Sequence, residues 1–287
     1  MRAWAVMVAV AALALATGSF LTFIRYELRP RHARLDPTAT GLPLESVVIP
    51  SSWGAGLAGW YLPGAGRGAV LLLHGAKSNR LVLVDRMRFL RDAGYSTLAI
   101  DFQAHGESTG DQITLGRLES LDARSALALL RARLPGEPVA VLGISMGGAA
   151  APIGPPIDAD AVIVESVGAN FAGGVSNRLA LKFGPLGRLF TPFVLGAMRF
   201  ACGVDASKLR PIDGIAGLHK PIFVMTGAED QKTTVAEARE LFERANPPKR
   251  YWETPGAQHW DLAFVGGDAY RERLLDFLGS TLRSPPG

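Results

Sequence analysis

From Leu44 onward, short apolar runs alternate with longer stretches whose apolar residues recur every three or four positions. That alternation limits the fold more than any other feature. Ala69–Leu73, Ser96–Ile100, Val139–Leu142, Ala161–Val164 and Ile222–Met225 have almost no polar face, as strands covered on both sides require. Leu81–Ala93, Leu115–Leu134, Val235–Ala245 and Tyr270–Leu282 carry helical spacing. Strand and helix alternating in this way build a mostly parallel sheet with helices on both faces, an α/β fold. Leu44–Ile49 and Leu57–Leu62, joined by a turn containing Ser51-Ser52-Trp53-Gly54, open the sheet as an antiparallel pair, and Tyr251-Trp252 is a last short strand. Residues 168–210 break the rhythm as an apolar, aromatic insertion, so one domain covers 44–287. At 48% hydrophobic and 20% charged the chain is not disordered, and its single cysteine, Cys202, excludes an internal disulfide framework.

Ahead of that domain, Arg2 and Arg25 bracket 22 residues without a charge, Ala3 to Ile24. As a helix they span roughly 33 Å, enough for a bilayer core of about 30 Å. Residues 1–28 are therefore expected to form a single-pass transmembrane anchor, with Tyr26 and the following arginines as its collar. A signal peptide cleaved after Ala14-Leu15-Ala16, followed by secretion, is the alternative, although the apolar run continues past that site through Phe20, Leu21, Phe23 and Ile24. The basic collar favours a cytoplasmic domain, a short signal anchor the opposite side, so the sequence leaves the side open. Residues 29–43, with two prolines before Gly41 and no period, are expected to be a linker. The net charge of +4 is concentrated here, in Arg25, Arg29, Arg31 and Arg34 against Glu27. The rest of the chain is nearly neutral, which argues against nucleic acid as a partner.

Chemistry enters at Gly143-Ile144-Ser145-Met146-Gly147, directly after a buried strand and before the small residues Gly148-Ala149-Ala150-Ala151. G-x-S-x-G between strand and helix describes a sharp turn that lifts a serine hydroxyl clear of a sheet. A serine used as a nucleophile needs a base, and the base needs an orienting acid. Of the five histidines, only His259 lies downstream of Ser145 in a loop after a late strand. The carboxyl edge of the sheet is where open α/β folds place their sites. The preceding loop at that edge reads Gly227-Ala228-Glu229-Asp230, which makes Asp230 the candidate acid. Glu229 and Glu165 are its rivals. Pro152, Pro155 and Pro156 follow the elbow closely and predict a short or broken helix behind Ser145.

Five segments in order, Leu73-His74-Gly75-Ala76, Asp101-Phe102-Gln103-Ala104-His105-Gly106-Glu107-Ser108, Gly143-Ile144-Ser145-Met146-Gly147-Gly148, Gly227-Ala228-Glu229-Asp230 and Gly256-Ala257-Gln258-His259, make the chain resemble the α/β-hydrolase superfamily over residues 44 to 283. It looks most like membrane-anchored serine hydrolases of the lysophospholipase and serine-aminopeptidase-like group. The resemblance implies an eight-stranded, mostly parallel sheet with a small helical lid at 168–210, and a Ser145–His259–Asp230 triad working through an acyl-enzyme. It implies an oxyanion hole from the backbone N–H groups of Ala76 and Met146, structural roles for His74 and His105, and neither metal nor organic cofactor. The expected substrate is a carboxylic ester or thioester with an apolar acyl group, lipid-like or small. A serine peptidase and a non-catalytic hydrolase-fold scaffold are the other readings. Phe171, Phe183, Phe190, Phe193 and Phe200 crowd the lid, and Phe171, Phe190 and Phe193 are the candidate substrate-binding residues. The sequence does not address oligomeric state.

Overall fold

The computed structural model describes residues 2–282; residues 283–287, assigned above to the domain, and Met1 lie outside the described residues. Its main sheet has eight strands: β1 (Glu45–Pro50), β2 (Gly56–Leu62), β3 (Ala69–Leu73), β4 (Ser96–Ile100), β5 (Val139–Ile144), β6 (Ala161–Glu165), β7 (Ile222–Gly227) and β8 (Lys249–Thr254). The spatial order is β1-β2-β4-β3-β5-β6-β7-β8. Only β2 runs against its neighbours; Leu71 of β3 pairs in parallel with Leu98 of β4 and Val141 of β5.

Strand periodicity divides the core in two. Leu71, Leu73, Val139, Val141, Val162 and Val164 face one side, where α3 (Glu119–Arg133) and α8 (Val235–Arg244) pack. Val70, Leu72, Ala140, Leu142, Ala161 and Ile163 face the other, under α2 (Val84–Asp92) and α9 (Leu262–Thr281). Residues alternating along a strand point to opposite faces, so a strand buried on both must be apolar throughout. The fold is the eight-stranded, doubly covered α/β architecture expected from the sequence.

Helix boundaries differ from expectation for local reasons. α3 begins at Glu119 rather than Leu115, because Leu115 sits at φ +60°. The turn before it wraps the buried Glu119 carboxylate, which accepts the Thr114 and Gly116 N–H groups at 2.8 Å each. α9 begins earlier than Tyr270, at Leu262, and is broken at Gly267, whose φ is +49°.

Between β6 and β7 the insertion folds as α5 (Phe171–Phe183), a 3-10 turn (Pro185–Phe190), α6 (Thr191–Cys202) and, beyond it, α7 (Pro211–Ile215). α1 (Arg2–Glu27) is long and apolar enough over Ala3–Glu27 to cross a membrane or to serve as a signal sequence. Its carboxyl end is part of the body: Ile24 and Leu28 are buried in the core. The segment expected as a linker also adheres. Arg31 and His32 pair in parallel with His105 and Gly106, and Ile113 N–H donates to the Leu28 carbonyl at 2.9 Å. Its prolines limit this stretch to one 3-10 turn, Pro37–Thr40, but do not prevent edge pairing.

Candidate active site

Every loop carrying a candidate site residue leaves the carboxyl edge of the sheet. Ser145 sits between β5 and α4 (Met146–Ala149) at φ +51°, ψ −113°, a conformation that side-chain-bearing residues rarely hold. The turn is possible because Gly147 lies against the neighbouring strand end. A Cβ there would stand 2.5 Å from the Leu73 carbonyl oxygen and 2.6 Å from that of His74. Ser145 N–H donates to the Glu165 carbonyl at 2.7 Å, which ties the elbow to the end of β6.

α4 is four residues long, so the proline-rich sequence does cut the helix short. Its loose end is held from α3. The Arg124 guanidinium donates to the carbonyls of Ala150 at 3.1 Å, Ala151 at 3.2 Å and Pro155, as well as to Ser120 in its own helix. One side chain thereby satisfies acceptors that a longer helix would have paired internally.

Ser145, His259 and Asp230 come together in one hydrogen-bonded row. Ser145 Oγ lies 3.0 Å from His259 Nε2, and His259 Nδ1 lies 2.7 Å from Asp230 Oδ2. His259 and Asp230 are almost wholly buried, at 2% and 4% exposure. Asp230 is oriented by its own loop, its Oδ1 accepting the N–H groups of Lys232 at 2.8 Å and Thr233 at 2.9 Å. The two loops are laced together, Ala228 N–H to the Thr254 carbonyl and Glu229 N–H to that of Ala257. Gly227 is forced by this approach, since a Cβ would come within 2.3 Å of the Ala257 oxygen.

The rival carboxylates are occupied elsewhere. Glu229 is exposed. Glu165 is buried, paired to Arg86 at 2.7 Å and accepting the Tyr270 hydroxyl. Burial raises the Tyr270 phenol well above its ordinary value, so it stays protonated as the donor.

The Ala76 and Met146 N–H groups, on loops flanking Ser145, have no hydrogen-bond acceptor among the described residues. The first loop is fixed by two buried histidines. His74 Nε2 accepts the Phe102 N–H at 3.1 Å and its Nδ1 stands 2.7 Å from the Gly75 carbonyl. A backbone N–H can only donate, so Nε2 is bare and Nδ1 carries the proton. His105 repeats the pattern, accepting from Lys77 N–H and donating to the Gln103 carbonyl. Burial, and then the neighbouring His105, lower His74 from 6.5 to about 3, which keeps it neutral.

A cleft of about 460 Å³, its open mouth included, runs from Ser145 beneath the lid, with Met146, Ile153, Val167, Phe171 and Leu209 among its walls. Of the three candidate phenylalanines only Phe171 lines it. Phe190 and Phe193 are instead on the outer surface of the lid, 55% and 69% exposed, because the faces of α5 and α6 toward the core are taken by other residues. Three residues carried no sequence signal. Ser166, at φ +52°, lines the cleft with a buried hydroxyl that has no partner. Arg178 of α5 lines it too. Trp260 sets its ring edge-on to His259 at 4.5 Å between centroids and covers Gly75. A serine after a strand, a lid arginine and a loop tryptophan form no motif.

This sheet order, with a serine elbow after β5, is that of the α/β-hydrolase fold. Within it, residues 64–153 match the family described as serine aminopeptidase, S33. A Mycobacterium tuberculosis protein, MT2364, is 27% identical over 288 residues, covering 95% of this chain and 94% of its own. The α/β hydrolase domain-containing protein WAV2 of Arabidopsis thaliana is 24% identical over 259 residues, 85% of this chain and 81% of that one. Among solved structures, the Pyrococcus furiosus esterase Pf2001 superposes with a TM-score of 0.73 at 25% identity, covering 88% of this chain and 99% of its own.

Proposed function

We propose that this protein is a membrane-anchored serine hydrolase that cleaves a carboxylic ester or thioester with an apolar acyl group. The observation that carries the reading is the row Ser145 Oγ–His259 Nε2–Asp230, at 3.0 and 2.7 Å. Asp230 accepts a hydrogen bond from the His259 Nδ1–H, which holds the proton on Nδ1 and leaves Nε2 bare towards Ser145. His259 takes the Ser145 proton as Oγ attacks the carbonyl carbon, and the negative charge moves to the carbonyl oxygen. The N–H groups of Ala76 and Met146 receive that oxygen; loss of one such donor typically costs about 2.7–4 kcal/mol of transition-state stabilisation. The tetrahedral intermediate collapses, the leaving alcohol or thiol takes the proton from His259, and an acyl-Ser145 ester remains. Water, deprotonated by His259, attacks that ester; the acyl–Oγ bond breaks, Oγ takes the proton back from His259, and the carboxylic acid leaves.

The apolar walls of the cleft support the acyl preference. Esterases among proteins of like fold, Pf2001 included, support ester over peptide. α1 supports the membrane address by its length and composition. A fluorophosphonate, which phosphorylates an activated serine, should label the wild-type protein and not Ser145→Ala. Absence of labelling in folded wild type, together with no turnover of a graded series of acyl esters, would leave the fold as a scaffold and overturn the reading.

A further inference from the structure

We propose that the outer face of the lid, from α5 through α6, is a docking surface for a lipid bilayer, so that amphipathic esters reach Ser145 from the membrane rather than from bulk water. The proposal rests on the reading of α1 as a membrane anchor and adds a second point of membrane contact.

The position of the lid follows from what α1 touches. α1 packs along α6. Arg25 Nε donates to the Ala201 carbonyl at 3.2 Å, and Lys182 Nζ lies 5.7 Å from the Phe23 ring centroid. Ile24 and Leu28 are buried in the core. A helix that crosses a bilayer with Ala3–Ile24 in hydrocarbon brings its next turn to the headgroups. Whatever is packed on that turn is held at the same depth, and here that is the lid.

The surface presented at that depth is apolar. Leu181, Phe183, Leu186, Leu189, Phe193 and Phe200 are between 50% and 79% exposed. Phe193 and Phe200, one heptad apart, share a face of α6. Soluble proteins seldom leave a cluster of this kind to water. The helices Pro185–Cys202 and Ala206–Ile215, bent by 113° between them, are together apolar enough by composition for a bilayer.

The charge fits a lipid surface as well. From Phe171 to Cys202 the chain carries Arg178, Lys182, Arg188 and Arg199 and no acidic residue. Arg25, which donates to the Ala201 carbonyl of α6, and Arg29 follow at the base of α1. Cations around an apolar face are the pattern of segments that lie in the interface of anionic membranes. The same α5 contributes Phe171, Gly174 and Arg178 to the cleft, so one helix borders both the bilayer surface and the site.

Nitroxide accessibility in the full chain tests this without recourse to catalysis. In a Cys202→Ser background, labels are placed at Phe193→Cys and Phe200→Cys, with Leu13→Cys on α1 as the lipid reference and Glu243→Cys on exposed α8 as the water reference. The protein is reconstituted into vesicles of phosphatidylcholine with phosphatidylglycerol. The lid labels should relax with oxygen and resist a water-soluble nickel chelate, as Leu13→Cys does. If nickel reaches them as readily as Glu243→Cys, the lid faces water and the proposal is overturned while the anchor stands. If Leu13→Cys also reads as water, the anchor fails and the proposal with it. Dipolar broadening between Phe193→Cys labels that vanishes on dilution with unlabelled protein would assign the face to a second copy of the chain, and equally overturn it. As a functional arm, Phe193→Glu with Phe200→Glu should lower hydrolysis of a vesicle-borne ester about tenfold and leave a soluble short-chain ester unchanged. Equal loss on both esters would count against membrane delivery. Loss of all ester turnover in wild type would instead indict the hydrolase reading.

Discussion

Two buried carboxylates lie near the elbow, and their surroundings give them different work. Asp230 points at His259 Nδ1, while Glu165 is spent on Arg86 and Tyr270. Asp230→Asn keeps the shape but can offer a donor to the imidazole, so turnover should fall by a factor on the order of 10⁴ with little change in thermal midpoint. Glu165→Gln should do the reverse. It leaves the Arg86 charge buried without its counterion, a loss of about 3–5 kcal/mol, visible as a lowered midpoint with residual turnover per folded molecule near wild type. Collapse of turnover in Glu165→Gln beside a near-normal Asp230→Asn would reassign the acid. His74 gives a pH prediction. Folded His74 titrates near about 3 and an unfolded histidine near 6.5, so between those values only the unfolded chain binds the proton. Stability is intact above pH 6.5 and drains away as pH falls, by about 2 kcal/mol at pH 5 from this residue alone. Between pH 7 and pH 5 the thermal midpoint of His74→Gln should therefore fall roughly 5 °C less than that of wild type; equal falls would show that His74 does not titrate on unfolding in this range.

At the scale of elements, legibility in the sequence followed burial. β3, β5, β6 and β7 could be read because a strand covered on both faces must be apolar throughout, and the loops after β5 and β7 then located Ser145 and Asp230, while the short Tyr251-Trp252 run of half-buried β8 located His259. α3 could not be bounded, because its first turn is set by a carboxylate, Glu119, holding backbone N–H groups of the preceding turn. Hydrophobic period is silent about such contacts. The same blindness hid Ser166, Arg178 and Trp260, which reach the cleft by tertiary placement alone. The proline-shortened α4 predicted a weak support for Ser145, and the structure supplies a compensating part in Arg124, which sequence spacing could not pair with residues 150–155. Arg124→Met should leave several partly buried carbonyls unpaired, at about 1–3 kcal/mol each where water cannot replace the donor. The expected outcome is a thermal midpoint lower by roughly 5–10 °C and a turnover number that falls further than KM changes, since the loosened loop carries the elbow. A midpoint and turnover both at wild-type level would mean that solvent satisfies those carbonyls and that α4 stands without the arginine.

For the whole molecule, the question is where the apolar N-terminal helix stops and the folded body begins. A boundary drawn from composition falls near residue 43, after the proline-containing stretch. The contacts put it some twenty residues earlier, since Ile24 and Leu28 are core residues and Arg31 and His32 extend the edge beside His105. The Arg31 N–H also donates to the Ala104 carbonyl at 2.7 Å, next to the histidine that steadies the Ala76 loop. Two deletions separate these views. Full-length protein should stay in the membrane pellet through an alkaline wash. A chain starting at Thr22 should leave the pellet, melt near the full-length value and keep its turnover of a soluble ester, because the buried Ile24 and Leu28 and the edge pairing are retained and only the half-buried Leu21 is lost. A chain starting at Leu44 should also be released but melt lower by several degrees. It loses three buried aliphatic side chains, Ile24, Leu28 and Leu42, each worth about 1.5–3 kcal/mol, and uncovers the face of Ile113. Its turnover should fall as well, because His105 and the Lys77 N–H it accepts lose the strand that braces them. Equal melting of the two shortened chains would show that residues 22–43 are an appendage after all. Recovery of a mature chain beginning at Thr17 from cells would show that α1 is cut just past its midpoint, which would remove the bilayer span while leaving Ile24 and Leu28 in place.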